Sequence, residues 1–205
     1  MSISNNFLKH QLIFVSLMLV TSVVLADDEL NQREQAAQQV AQQFVKQLGS
    51  HLKNEMKTNG PVSAIKVCKD VAPEIASQLS IENGWSVSRV TTKVRNPLLG
   101  MPDQWERATL ADFEAQAAKG EEYSTMNKTA VVDEDGLFYF RYMKPLVIAP
   151  VCLSCHGSDD QIPTAVKTEL ENAYPFDKAK GYKAGELRGA ISIKQPMDIP
   201  LRKKF

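Results

Sequence analysis

The chain has 205 residues, 43% of them hydrophobic, and its 24 basic side chains are balanced by 24 acidic ones for a formal net charge of +0. That is enough apolar material for one sizeable core, and there is none of the basic excess that nucleic-acid binding requires. No solenoid-like repeat or low-complexity linker divides it, so a single domain after any leader is expected.

The amino terminus reads as an export signal. Lys9 and His10 precede an apolar run over residues 12–25, which ends in Val24-Leu25-Ala26 before Asp27-Asp28-Glu29. A basic start, a short apolar core and a small residue at the cut are the parts of a cleavable leader. The core is shorter than the roughly 20 residues a spanning helix needs. Cleavage after Ala26 is expected, leaving residues 27–205 in the periplasm or otherwise exported, with no membrane attachment; an uncleaved anchor is the alternative.

Residues 27–57 contain no proline, and Ala37, Val40, Phe44, Leu48, Leu52 and Met56 recur three or four apart, as on one face of a long helix. Asn59-Gly60-Pro61 ends this leading segment (27–60), whose exposed face is a candidate for homodimer pairing. A second helical stripe over residues 61–79 carries Ile65, Cys68, Ala72, Ile75 and Leu79. Pro73 interrupts it and predicts a bend or a fresh helix start. Residues 85–94 alternate and are β-branched, predicting a strand before the Arg95-Asn96-Pro97 turn. A helix follows over 103–119, closed by Gly120. Residues 123–132 and 137–148 flank Asp133-Glu134-Asp135-Gly136 and predict a hairpin. A short helix over 164–172 and a strand over 187–194 complete an α+β pattern.

Directly after the hairpin stands Cys152-Leu153-Ser154-Cys155-His156, the Cys-x-x-Cys-His attachment sequence of a c-type haem. Each cysteine can add across one vinyl group of the porphyrin, and the histidine is then held at the metal as an axial ligand. A zinc reading needs further ligands, for which only Cys68, His51 and His10 remain, and a dithiol reading needs a thioredoxin-like setting that is not evident. One covalent haem c agrees with export, because such haem is assembled outside the cytoplasm.

Cys68 is then the one remaining thiol of an exported chain. Three readings stand open: a small buried core residue, a sixth iron ligand opposite His156, or an intermolecular disulfide. The methionines at 56, 101, 126, 143 and 197, and His51, are rival sixth ligands. Arg95 and Arg141 are candidate partners of the haem propionates, and Phe140 and Tyr142, sharing one face of a strand, are candidate pocket walls.

Ala64-Ile65-Lys66-Val67-Cys68 with Ala72-Pro73, Arg95-Asn96-Pro97 ahead of Trp105-Glu106, Pro145 before Cys152 to Gly157, and Gly181-Tyr182 with Leu187-Arg188-Gly189-Ala190 resemble the c-type haem proteins with a PAS-like fold, a family whose domain has no assigned function. The resemblance spans nearly all of residues 27–205. It implies an antiparallel PAS-like sheet with helices around it, one covalent haem, and axial ligation by His156 and Cys68. A thiolate opposite histidine favours ferric iron and a low potential, which suits sensing of redox state or a small gas better than exchange with high-potential carriers. The expected function is thus a non-catalytic, exported monohaem sensor with a switchable Cys/His-ligated haem. A single-electron carrier is the alternative, and a haem peroxidase the less favoured one. With no output region in the sequence, a sensor would act through a signalling or redox partner.

Overall fold

The structure, a computed structural model, describes residues 6–201, with side chains from residue 27 onward. The expected leader and its cut after Ala26 fall outside the residues described with side chains. Among the described residues no helix is long and apolar enough to cross a membrane. The chain divides into two compact units, residues 1–36 and 37–205. The first is the opening stretch of helix α1 (Asn6–Thr58), where Glu29 and Arg33 pair at 2.8 Å one turn apart.

In the second unit α1 continues to Thr58, and Gly60 at φ 80° turns the chain into α2 (Gly60–Lys66). The apolar stripe of α1 divides in two. Ala37, Val40 and Phe44 are buried in the core, whereas Leu48, Leu52 and Met56, one to three turns on, face a cavity.

At Pro73 the stripe restarts, one of the two expected outcomes: α2 passes into a π-helical turn, Val67–Val71, and a new α-helix, α3 (Ala72–Asn83), begins with the proline in its first turn and Ala72 helical at φ −66°. The widened turn accommodates the proline. Ala72 N–H bonds back to Val67 O, and in that register the next donor, aimed at Cys68 O, belongs to Pro73, which has no N–H. The Cys68 carbonyl instead accepts a long 3.4 Å bond from Arg89 Nη2. Such single π-turns recur at functional positions, and this one carries Cys68.

Strand β1 (Ser86–Val90) is shorter than expected: Thr91 N donates to Gly100 O at 3.1 Å, at the end of a small helix, α4 (Pro97–Gly100), which Asn96 caps by accepting from Leu98 N. Helix α5 (Gln104–Ala118) opens with a reciprocal capping box between Asp103 and Glu106. Strands β2 (Lys128–Glu134) and β3 (Leu137–Val147) form the expected hairpin, with Asp135 at φ 57° and Gly136 at φ 86° supplying its turn. After β3 come a single 3₁₀ turn (Pro150–Cys152), α6 (Leu153–His156), α7 (Thr164–Ala173) and β4 (Leu187–Pro196).

The four strands make one antiparallel sheet in the order β1-β4-β3-β2. The fold is therefore α+β, with a long amino-terminal helix and flanking helices, as the alternation of patterns predicts. Helix α5 packs on one side, where Leu110 and Phe113 meet Met126, Met143 and Ala190. Gly189, at φ 149°, lets β4 approach β1 closely; a Cβ there would stand 2.3 Å from Val90 O.

Candidate functional site

A cavity of about 440 Å³ opens between the helical segment of residues 48–80 and the two strands β1 and β4, with the end of β3 and residues 150–156 closing it. It gathers Cys68, Cys152, Cys155 and His156, which come from two separate stretches of sequence. All three thiols are free and half-buried. Burial raises the pKa of Cys152 and pushes that of Cys155 up to about 11, and Cys68 is near enough to both to add to the rise. Most of the remaining wall is aliphatic, including Leu52, Ile65, Val87, Leu146 and Ile148. Both the volume and the lining are those of a small-molecule or cofactor site.

The motif is held by packing on either side and by hydrogen bonds behind it. Cys155 packs against Ile65, Ile162, Val166 and Leu170, which join α2 to α7. Cys152 and Leu153 pack against Ile148, Ala179 and Tyr182. Tyr182 N donates to His156 O at 2.9 Å and Gly181 N to Gly157 O at 2.7 Å, so the segment 179–182 braces the motif from outside. Gly157 closes α6 where no side chain fits, since a Cβ would meet Leu153 O at 2.7 Å.

The ring of His156 is oriented by its surroundings. Its Nδ1 lies 2.7 Å from Ala179 O; a carbonyl only accepts, so Nδ1 carries the proton and Nε2 keeps its lone pair. Burial, then Arg95 and Arg188, hold the imidazole pKa well below its usual value. A neutral imidazole whose Nε2 keeps its lone pair is the form that ligates a metal; here that lone pair faces Arg95 Nη1 at 3.4 Å.

Arg95 reaches the cavity, as expected, but its guanidinium is already engaged. It pairs with the buried Asp177 at 3.0 Å and donates from Nη2 to Cys155 O at 2.6 Å and Ala179 O at 3.3 Å. Its Nη1 stands 3.4 Å from His156 Nε2. Arg95 thus ties the motif to the brace.

Three other expectations are corrected by position. Arg141, Phe140 and Tyr142 do not line the cavity. Leu146 does, but at about 3.3 Å of rise per residue Tyr142 lies some 13 Å back along β3, with Phe140 farther still, and both are buried in the core. Arg141, at the alternate parity of the strand, pairs with Asp103 at 2.7 Å, Glu106 at 3.2 Å and Glu134 at 2.9 Å. Among the rival ligands, Met126 and Met143 are buried against α5, Met101 is 61% exposed, Met197 lies just beyond the end of β4 outside the cavity lining and His51 is exposed on α1. Only Met56 joins Cys68 in the cavity wall. Arg89 and Arg188 also line it; neither carries a role legible in the sequence, because single arginines in strands have no local signature.

Among the described residues no three His, Cys, Asp or Glu side chains stand close enough together to hold a bare metal ion.

No curated protein matches the sequence. A solved structure described as the cyanobacterial heme-protein Tll0287 is similar, with a TM-score of 0.59 at 22% identity over 86% of this chain and 98% of that one; at that identity the likeness shows the fold. A family model described as Tll0287-like matches residues 25–196. The match covers most of the chain, which therefore belongs to the Tll0287-like family.

Proposed function

We propose that this chain is an exported haem c protein that senses redox state or a small ligand. Cys152 and Cys155 would hold one haem covalently, and His156 and Cys68 would be the residues that ligate its iron. The observation that carries the reading is the convergence of three cysteines and a lone-pair-bearing imidazole on one largely apolar cavity of about 440 Å³. The similar solved protein is itself described as a heme-protein. The bound group would supply one-electron chemistry and a coordination position for a small ligand.

The chain's own residues divide the labour. His156 is fixed on the braced motif by Ala179 and Tyr182. Cys68 sits instead on a widened helical turn, where a small shift of register can withdraw its sulfur and carry the change along α3. One ligand is built to stay and the other to leave. A peroxidase reading has little to work with, since among the described residues no carboxylate or second histidine lines the cavity to move protons. An electron-carrier reading keeps one supporting feature: Leu99, Val147 and Val151 line the cavity and are also exposed, leaving a path to a partner.

Carbon monoxide tests the two readings. The reduced protein is expected to bind it, with an apparent affinity set by the fraction of molecules whose Cys68 has left, and Cys68→Ala is expected to bind it roughly ten-fold more tightly or better. Absorption spectra of the reduced forms measure both. A reduced wild-type protein that forms no adduct at saturating gas would contradict the sensor and leave the carrier.

A further inference from the structure

The cavity is lined by three arginines whose charges are unevenly answered. Arg95 has Asp177 at 3.0 Å, whereas Arg89 and Arg188 have no carboxylate within ion-pairing distance among the described residues. Arg89 donates one long bond, 3.4 Å to Cys68 O, and lies 5.8 Å from the ring centre of Phe44. Arg188 likewise donates one bond of 3.4 Å, to Lys93 O, and lies 5.7 Å from the ring centre of Tyr182. A guanidinium has five N–H donors in a fixed fork, so each of these two has most of its hydrogen-bonding capacity left over.

Both side chains are partly buried, and burial, reinforced by Arg95 and Arg89, lowers the Arg188 pKa from its usual value. Cations drawn out of water and crowded together are costly unless an anion joins them. The wall around them is mostly aliphatic, so the matching ligand is an apolar body that carries its own carboxylates rather than a free small anion. Each guanidinium lies at the outer edge of cation–π range of an aromatic ring, which favours its present placement before any ligand arrives.

We propose that Arg89 and Arg188 form a two-carboxylate subsite in which each guanidinium grips one propionate of the haem. The assignment rests on the haem reading above and moves the role away from Arg95, whose fork is spent on Asp177 and two carbonyls, and from Arg141, which is elsewhere.

Iron(III) mesoporphyrin IX lacks vinyl groups, so the cysteines cannot capture it, and its dimethyl ester has both carboxylates masked. Titrated into the apoprotein under reducing conditions, the diacid is expected to bind at least about ten-fold more tightly than the ester, the worth of one charge-assisted hydrogen bond. In Arg89→Gln/Arg188→Gln that preference is expected to vanish while the ester binds as to wild type, which also reports an intact fold. Equal binding of the two porphyrins by the wild-type protein would overturn the inference, as would a preference that survives in the double variant. If the glutamine variant loses the ester too, Arg89→Lys/Arg188→Lys decides: it keeps the charge without the fork, and an undiminished preference there overturns the proposal. Failure of both porphyrins to bind the wild-type protein would sink the haem reading itself.

Discussion

Cys152→Ala/Cys155→Ala is expected to abolish all haem that survives denaturing electrophoresis, while either single variant keeps a covalent band with a displaced absorption maximum. The reason is stoichiometric: each thiol supplies one bond to the porphyrin, and Cys68, though it shares the cavity, does not stand in the motif that presents a thiol beside the fixed imidazole. Haem staining of gels and the alkaline pyridine spectrum read the result directly. A covalent band persisting in the double variant would mean that attachment runs through Cys68 or that the motif serves another purpose.

Arg141→Met is expected to destabilise the fold by about 3–5 kcal/mol, measured by urea unfolding, because it strands carboxylates that a buried guanidinium now neutralises. Arg141 is 2% exposed. Glu106 beside it is buried too and accepts from Ser192 Oγ at 2.6 Å as well as from the Asp103 backbone at 2.8 Å. Burial alone would raise the pKa of Asp103, but the Glu106 N–H and Arg141 outweigh it and lower it. Asp103 therefore adds stability at neutral pH that is lost as pH falls through its folded pKa. Adding Glu106→Gln to Arg141→Met is expected to recover part of the loss, since the pair shares one network. Haem incorporation per folded molecule should not change, because neither Arg141 nor any residue of α5 lines the cavity. A loss below about 1 kcal/mol would show the network to be no more than a surface arrangement.

What the sequence discloses here is what local chemistry controls. The stripe of Val40 and Phe44, the Asp133 to Gly136 turn and the Cys152 to His156 motif all speak through spacing within a few residues, and each appears where spacing places it. Pro73 was equally visible, and so was the helix start beside it; the π-turn that precedes that start was not, because the surrounding packing decides how the missing donor is met. The cavity was harder still. It depends on how β1, β4 and the α2–α3 segment converge, so Arg89 and Arg188 become partners of Cys68 and His156 only through tertiary pairing. Arg141, Phe140 and Tyr142 were misplaced for the complementary reason. Proximity to the motif along β3 is not proximity in space, because strand parity turns Arg141 away and strand rise carries Tyr142 too far.

The most direct test of the whole account is the low-temperature EPR spectrum of the ferric, haem-loaded protein beside that of Cys68→Ser. The account requires a low-spin signal of thiolate–imidazole ligation in the wild-type protein that disappears in the variant. An identical spectrum in both would contradict it and hand the sixth position to Met56 or to no protein ligand at all.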